Sequence, residues 1–179
     1  MPEPFNPAAH IRSLADWPKE GVIFHDISPL LTDAANFRQL VDLFVHRHFT
    51  STIDAVAAVD ARGFIIGAPV AYGLGVGFVP VRKKGKLPGA VISQPYALEY
   101  GEAELEIQTD CLRPGARVLL IDDLIATGGT LLAAVALLRR LEVKIVEVNA
   151  IVNLPSLGGS GKLRHAGMIV HTFCTFVGA

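Results

Sequence analysis

Apolar residues along the chain follow two different periods. Four short runs, at 55–59, 77–81, 117–121 and 145–152, are nearly all apolar and rich in β-branched side chains, as strands buried on both faces of a parallel sheet are. After the third run, Leu131, Leu132, Val135, Leu138 and Leu141 recur at helical spacing, with Arg139 and Arg140 in the last turn, where the helix dipole favours cations. After the first, residues 64–72 predict a helix ending at Gly73. Ahead of the first run, Asp33 is placed to cap a helix carrying Phe37, Leu40, Val41, Phe44, Val45 and His48 on one face, whereas 17–31, with Pro18, Gly21 and Pro29, reads as irregular. Between Ala90 and Cys111, alternation through Tyr96, Leu98 and Tyr100, a turn at Gly101, and alternation through Leu105 and Ile107 predict a β-hairpin set between core strands like a flap.

Strand, loop and helix repeat in an order that predicts an α/β domain with a mostly parallel central sheet flanked by helices, whose ligands bind beyond the carboxyl ends of the strands. Chemistry is therefore expected in the loops at 60–63, 82–89 and 122–130. The length of 179 residues suits a single domain over 1–179. Half the residues are apolar and the net charge is −1, which argues against a disordered chain and gives no general charge-based reason for a nucleic-acid partner. Cys111 and Cys174 lie far apart and suggest neither a disulfide framework nor a zinc site, so a reducing, cytoplasmic setting is expected. The N-terminus has no basic start followed by an apolar stretch, so no export signal is read. The uncharged run 63–81 holds five glycines and two prolines, and is better divided into a helix and a strand than read as a membrane span.

The most telling segment is VLLIDDLIATGGT. Asp122 and Asp123 follow a buried strand at the edge where α/β sheets place ligands. Burying two adjacent charges is costly, so they are expected to face water, a metal or donating hydroxyls. Ala126, Thr127, Gly128, Gly129 and Thr130 are small or hydroxylated and open a helix, whose free N–H groups and dipole favour an anion. Taken alone, the segment also fits a polar turn. A nucleotide hydrolase would need a Walker A loop, but GGSGKL at 158–163 is preceded by Ser156 where the first glycine belongs and has Leu163 where a magnesium-binding hydroxyl is required.

The segment resembles the phosphoribosyl-pyrophosphate loop of type I phosphoribosyltransferases, most of all their adenine-using branch, and the likeness runs from about residue 17 to 163. The resemblance implies that Ala126 to Thr130 hold the 5-phosphate and that Asp122 and Asp123 receive the ribose hydroxyls. It makes Arg62, in the turn after the first strand, a pyrophosphate ligand, together with Arg82, Lys83 and Lys86 of RKKGKLPG, whose cations often act across a dimer interface. GVIFHDISP, within an N-terminal hood of about 1–33, resembles the adenine-holding segment. There Phe24 would stack on the base, the backbone of Ile23 and His25 would read its edge, and Leu124 would complete the pocket. The family commonly has arginine at His25 and often an acid at Asn153. The flap hairpin, about 90–111, is similar to the family's mobile catalytic loop, with Glu99 the matching acid and Tyr100 beside it.

The implied reaction is transfer of the phosphoribosyl group to adenine, giving AMP and pyrophosphate, with Mg2+ carried by the substrate's pyrophosphate rather than held by protein ligands. The implied assembly is a homodimer, with small-molecule substrates and neither nucleic acid nor membrane as partner. Two alternatives stay open: another purine as acceptor (hypoxanthine, guanine or xanthine), or a regulator that senses phosphoribosyl pyrophosphate without turning it over.

Overall fold

A computed structural model describes residues 5–97 and 102–177 of the chain. Strands β1 (Arg12–Ala15) and β2 (Ile23–Asp26) pair antiparallel as a small sheet, and α1 (Ser28–Thr32) and α2 (Ala34–His48) follow. Next come β3 (Ala55–Val59), α3 (Arg62–Leu74), β4 (Gly77–Lys83), and the hairpin of β5 (Val91–Ala97) and β6 (Glu102–Gln108). The chain continues through β7 (Arg117–Ile125), α4 (Gly129–Arg140), β8 (Lys144–Asn153), α5 (Gly159–His165) and β9 (Val170–Thr175). Among the described residues, seven strands form one sheet in the order β5-β6-β4-β3-β7-β8-β9, parallel from β4 to β9 and antiparallel at the hairpin. Alternate residues divide between two cores. Val59, Leu120 and Val148 pack with Leu131, Leu138 and the hairpin's Leu105 and Ile107, while Val56, Ala58, Leu119 and Ile121 pack with Leu40, Phe44, Ile66 and Val70 of α2 and α3.

The four predicted core strands are present, and three extend beyond the apolar runs: β4 into the basic segment, β7 through the acidic pair, β8 by a residue at either end. Asp33 caps α2 as expected, accepting from the Asn36 N–H at 2.8 Å. The helix expected to stop at Gly73 continues to Leu74 and closes on Gly75, at φ +69°. Gly73 is needed for clearance, since a Cβ there would lie 2.7 Å from Val45 of α2. The stretch read as irregular contains β2 and α1, short elements whose partners lie elsewhere in the sequence. Strand β9 and helix α5 were not anticipated. In the parallel part of the sheet, β3 connects outward to β4 on one side and β7 connects to β8 on the other. The direction of winding therefore reverses between β3 and β7, and the loops leaving their carboxyl ends diverge to open a crevice.

Candidate active site

A cavity of about 380 Å³ occupies that crevice, lined by Asp60 and Ala61 of the turn after β3, by Arg62 at the start of α3, by Lys83 of β4 and by Tyr96 of β5. Its remaining wall is the continuous stretch from Asp122 to Leu131, Leu124 included. Gly128 sits at φ +82° as the residue before α4, and no side chain follows until Thr130. The start of α4 therefore offers its unpaired N–H groups to the cavity without steric cover. The cradle, the acidic pair, Arg62 and Lys83, read separately from the sequence, are thus brought together.

The acidic pair is more enclosed than expected. Asp123 is only 6% exposed, and its charge is offset by Arg62, whose Nε lies 2.8 Å from its Oδ2. Burial, reinforced by the neighbouring Asp123 carboxylate, pushes the Asp122 carboxyl well above the usual carboxylate range. The pair thus offers one carboxyl matched to a cation and one raised by burial, both placed beside the cavity where sugar hydroxyls could meet them. Arg62 also lies over the ring of Phe24, 5.6 Å from its centroid, and Trp17 packs on that ring at 4.3 Å. One guanidinium therefore joins the aromatic platform of the hood to the acidic pair.

Among the described residues, the other expected site residues lie outside the cavity wall. Arg82 turns to Asp60 at 3.2 Å and donates to the Lys86 carbonyl at 3.0 Å, which braces the basic turn, and Lys86 is exposed. Ile23 is exposed on the hood strand, and Glu99 and Tyr100 lie outside the described residues. Asp60 and Tyr96 line the cavity although no motif singled them out; their position at the end of a core strand and at the head of the hairpin was the available signal.

His25 is buried, with Nδ1 3.1 Å from the Ser13 hydroxyl and its ring stacked on Phe176 at 4.1 Å. Two buried side-chain atoms among the described residues have no hydrogen-bond partner, His25 Nε2 and Asn153 Oδ1, at the two positions where the resemblance drawn from the sequence implies a different residue. Phe176 connects them, since its N–H donates to the Asn153 carbonyl at 3.1 Å. Burial lowers the pKa of His25, so the fold holds its imidazole neutral. The unfolded chain takes up the proton at about pH 6.5, and the folded chain only at lower pH. Stability is therefore complete above that range and declines as pH falls through it. Thermal melting followed from about pH 7.5 to about pH 5.5 should show a larger fall for the wild type than for His25→Gln; parallel curves would remove His25 as a cause.

A parallel sheet with a glycine-rich helix start at its winding reversal, flanked by carboxyls and cations, is the arrangement of an α/β enzyme site and has the chemistry to receive a phosphorylated sugar. The model for the phosphoribosyl transferase domain matches residues 31–170. The adenine phosphoribosyltransferase of Albidiferax ferrireducens is 57% identical over 172 residues, covering 95% of this chain and 89% of the relative. Among solved structures, the adenine phosphoribosyltransferase of Thermoanaerobacter pseudethanolicus superposes with a TM-score of 0.90 at 42% identity, covering 95% of this chain and 98% of its own. The enzyme of Saccharomyces cerevisiae, solved with an imino-altritol bisphosphate and adenine, gives 0.88 at 37% identity, covering 94% and 96%. The chain belongs to the phosphoribosyltransferase family and, within it, to the adenine phosphoribosyltransferases.

Proposed function

We propose that the protein transfers the phosphoribosyl group of 5-phosphoribosyl 1-pyrophosphate to adenine, forming AMP and releasing pyrophosphate, a purine-salvage reaction. The observation that carries this reading is the single cavity shared by the cradle Ala126 to Thr130, the carboxyls of Asp122 and Asp123, and the cations Arg62 and Lys83. These groups match the three parts of the substrate in order: 5-phosphate, ribose hydroxyls and pyrophosphate. Adenine N9 bonds to C1 of the ribose as the C1–oxygen bond to pyrophosphate breaks, and the electron pair leaves with pyrophosphate. Positive charge grows on the sugar ring in between. The protein contributes position and fixed charge: N–H groups on the 5-phosphate, carboxyls on the hydroxyls, and cations beside the leaving group.

Phe24, the backbone of Ile23 and His25, and Leu124 are assigned to the purine. For the base to stack on Phe24, Arg62 must move off the ring towards pyrophosphate, so arrival of the leaving group would help clear the platform. Glu99 is assigned to the N9 proton and Tyr100 to closure of the hairpin over the reactants, with Arg82 and Lys86 reaching pyrophosphate when the basic turn rearranges. Among the described residues, no cluster of three His, Cys, Asp or Glu is arranged to hold a metal. Mg2+ carried by the substrate would be received beside Asp60, Asp122 and Asp123, which border the cavity. When bound, the ion neutralises the leaving group. A second copy of the chain is assigned to α3, where Ile65, Ala68 and Tyr72 form an exposed stripe, Tyr72 at 89%. Among the described residues, no helix is long and apolar enough to cross a membrane. The cytosol, where phosphorylated substrates are retained, is the proposed location.

The absorbance change with each base, phosphoribosyl pyrophosphate and Mg2+ tests the assignment. Adenine should exceed hypoxanthine, guanine and xanthine in kcat/KM by at least about 100-fold; a preference for guanine would overturn it.

A further inference from the structure

Helix α5 begins in the GGSGKL segment, which the reaction does not use directly and which fails as a nucleotide loop. It lies behind the phosphate cradle in direct backbone contact. The Gly159 N–H donates to the Ala126 carbonyl at 3.0 Å, and Lys162 Nζ donates to the Thr127 carbonyl at 3.2 Å. A Cβ on Gly159 would fall 2.3 Å from the Ala126 oxygen and 2.6 Å from the Gly128 nitrogen, and one on Gly128 would fall 2.9 Å from the Gly159 Cα. Both glycines are therefore required by this approach. Leu163, fully buried in the core that also holds Leu131 and Leu137 of α4, anchors the helix.

In a trans peptide the carbonyl and the following N–H point in opposite directions. With the Ala126 and Thr127 carbonyls fixed towards α5, the N–H groups of Thr127 and Gly128 are turned the other way, into the cavity that these residues line. We infer that Gly159 and Lys162 are positioning residues for the 5-phosphate: they lock two consecutive peptide planes so that their N–H groups meet the anion already aligned. The Lys162 ammonium, bonded to the carbonyl of the same peptide, also polarises the Gly128 N–H and strengthens it as a donor. The inference rests on the reading of Ala126 to Thr130 as the phosphate site.

Calorimetric titration with ribose 5-phosphate separates the two. Wild type binds; Lys162→Met should bind about tenfold more weakly, with KM for phosphoribosyl pyrophosphate raised by a similar factor and KM for adenine and melting temperature unchanged. Lys162→Arg should recover most of the affinity. Because Lys162 is exposed, these variants test the idea even if Gly159→Ala fails to fold. Wild-type affinity in Lys162→Met, or equal rises in both KM values together with a lower melting temperature, overturns the positioning role while leaving the phosphate site in place. Absence of ribose 5-phosphate binding to the wild type overturns the phosphate site and this inference together.

Discussion

Asp123→Asn should lower kcat/KM for phosphoribosyl pyrophosphate by about 10²- to 10³-fold while leaving the melting temperature almost unchanged. The substitution keeps the shape of the side chain and removes its charge. Hydrogen bonds to a charged acceptor contribute about 1.5–3 kcal/mol each, so weakening two from the ribose hydroxyls costs about 3–4 kcal/mol. Arg62 loses its partner at 2.8 Å as well, but its side chain is 45% exposed and can be rehydrated, which is why stability should change little. Asp122 provides a second readout. Its carboxyl is raised first by burial and then by the adjacent Asp123 charge, so removing that charge should lower its pKa. A step that needs Asp122 ionised loses rate as pH falls through that pKa, and the acid limb of the pH–rate profile should move to lower pH in the variant. Activity within twofold of wild type would take Asp123 out of the site.

The acidic pair also shows what was legible before the structure. Two carboxylates, small residues and a helix start following a buried strand mark a candidate site because each feature is local, and the winding reversal between β3 and β7 then brings Arg62 and Lys83 to the same cavity. The Arg62–Asp123 contact was not legible, since residues 61 positions apart meet only through the parallel pairing of β3 and β7. The core strands stand out because both faces are buried. Strands β1 and β9 do not: β1 has no buried residue, and β9 is half-exposed along most of its length. Helix α5 was obscured by glycines at Gly159 and Gly161, normally a sign against helix; the contact of Gly159 with the cradle, invisible in one dimension, is the reason for the first of them.

Removing Glu147 should have the opposite outcome, a large loss of stability with catalysis intact. Glu147 lies near the amino end of β8, away from the edge that carries the cavity. It accepts from Arg47 Nε and an Arg47 terminal nitrogen at 2.7 Å each, and from Asn149 at 2.7 Å. His48 lies 3.4 Å from it and meets the Asn149 side-chain oxygen at 2.9 Å. The network ties α2 to β8 beneath the core. Breaking a buried ion pair costs about 3–5 kcal/mol by leaving partners unpaired, and the lower value applies to Glu147→Ala because Arg47 remains partly exposed. At about 2–4 °C per kcal/mol for a chain of this size, melting should fall by about 6–12 °C. The pH dependence has a definite sign. Burial acts to raise the Glu147 pKa, but the hydrogen bonds from Arg47, His48 and Asn149 outweigh it and hold the carboxyl below its usual range. Its contribution is therefore complete above the ordinary glutamate value of about 4.3 and is lost as pH falls below it. The gap in melting temperature between wild type and Glu147→Ala should narrow from pH 7 towards about pH 3, with both KM values at 25 °C matching the wild type. A gap that is absent at pH 7, or that widens on acidification, would show that Glu147 does not hold α2 to the sheet through its charge.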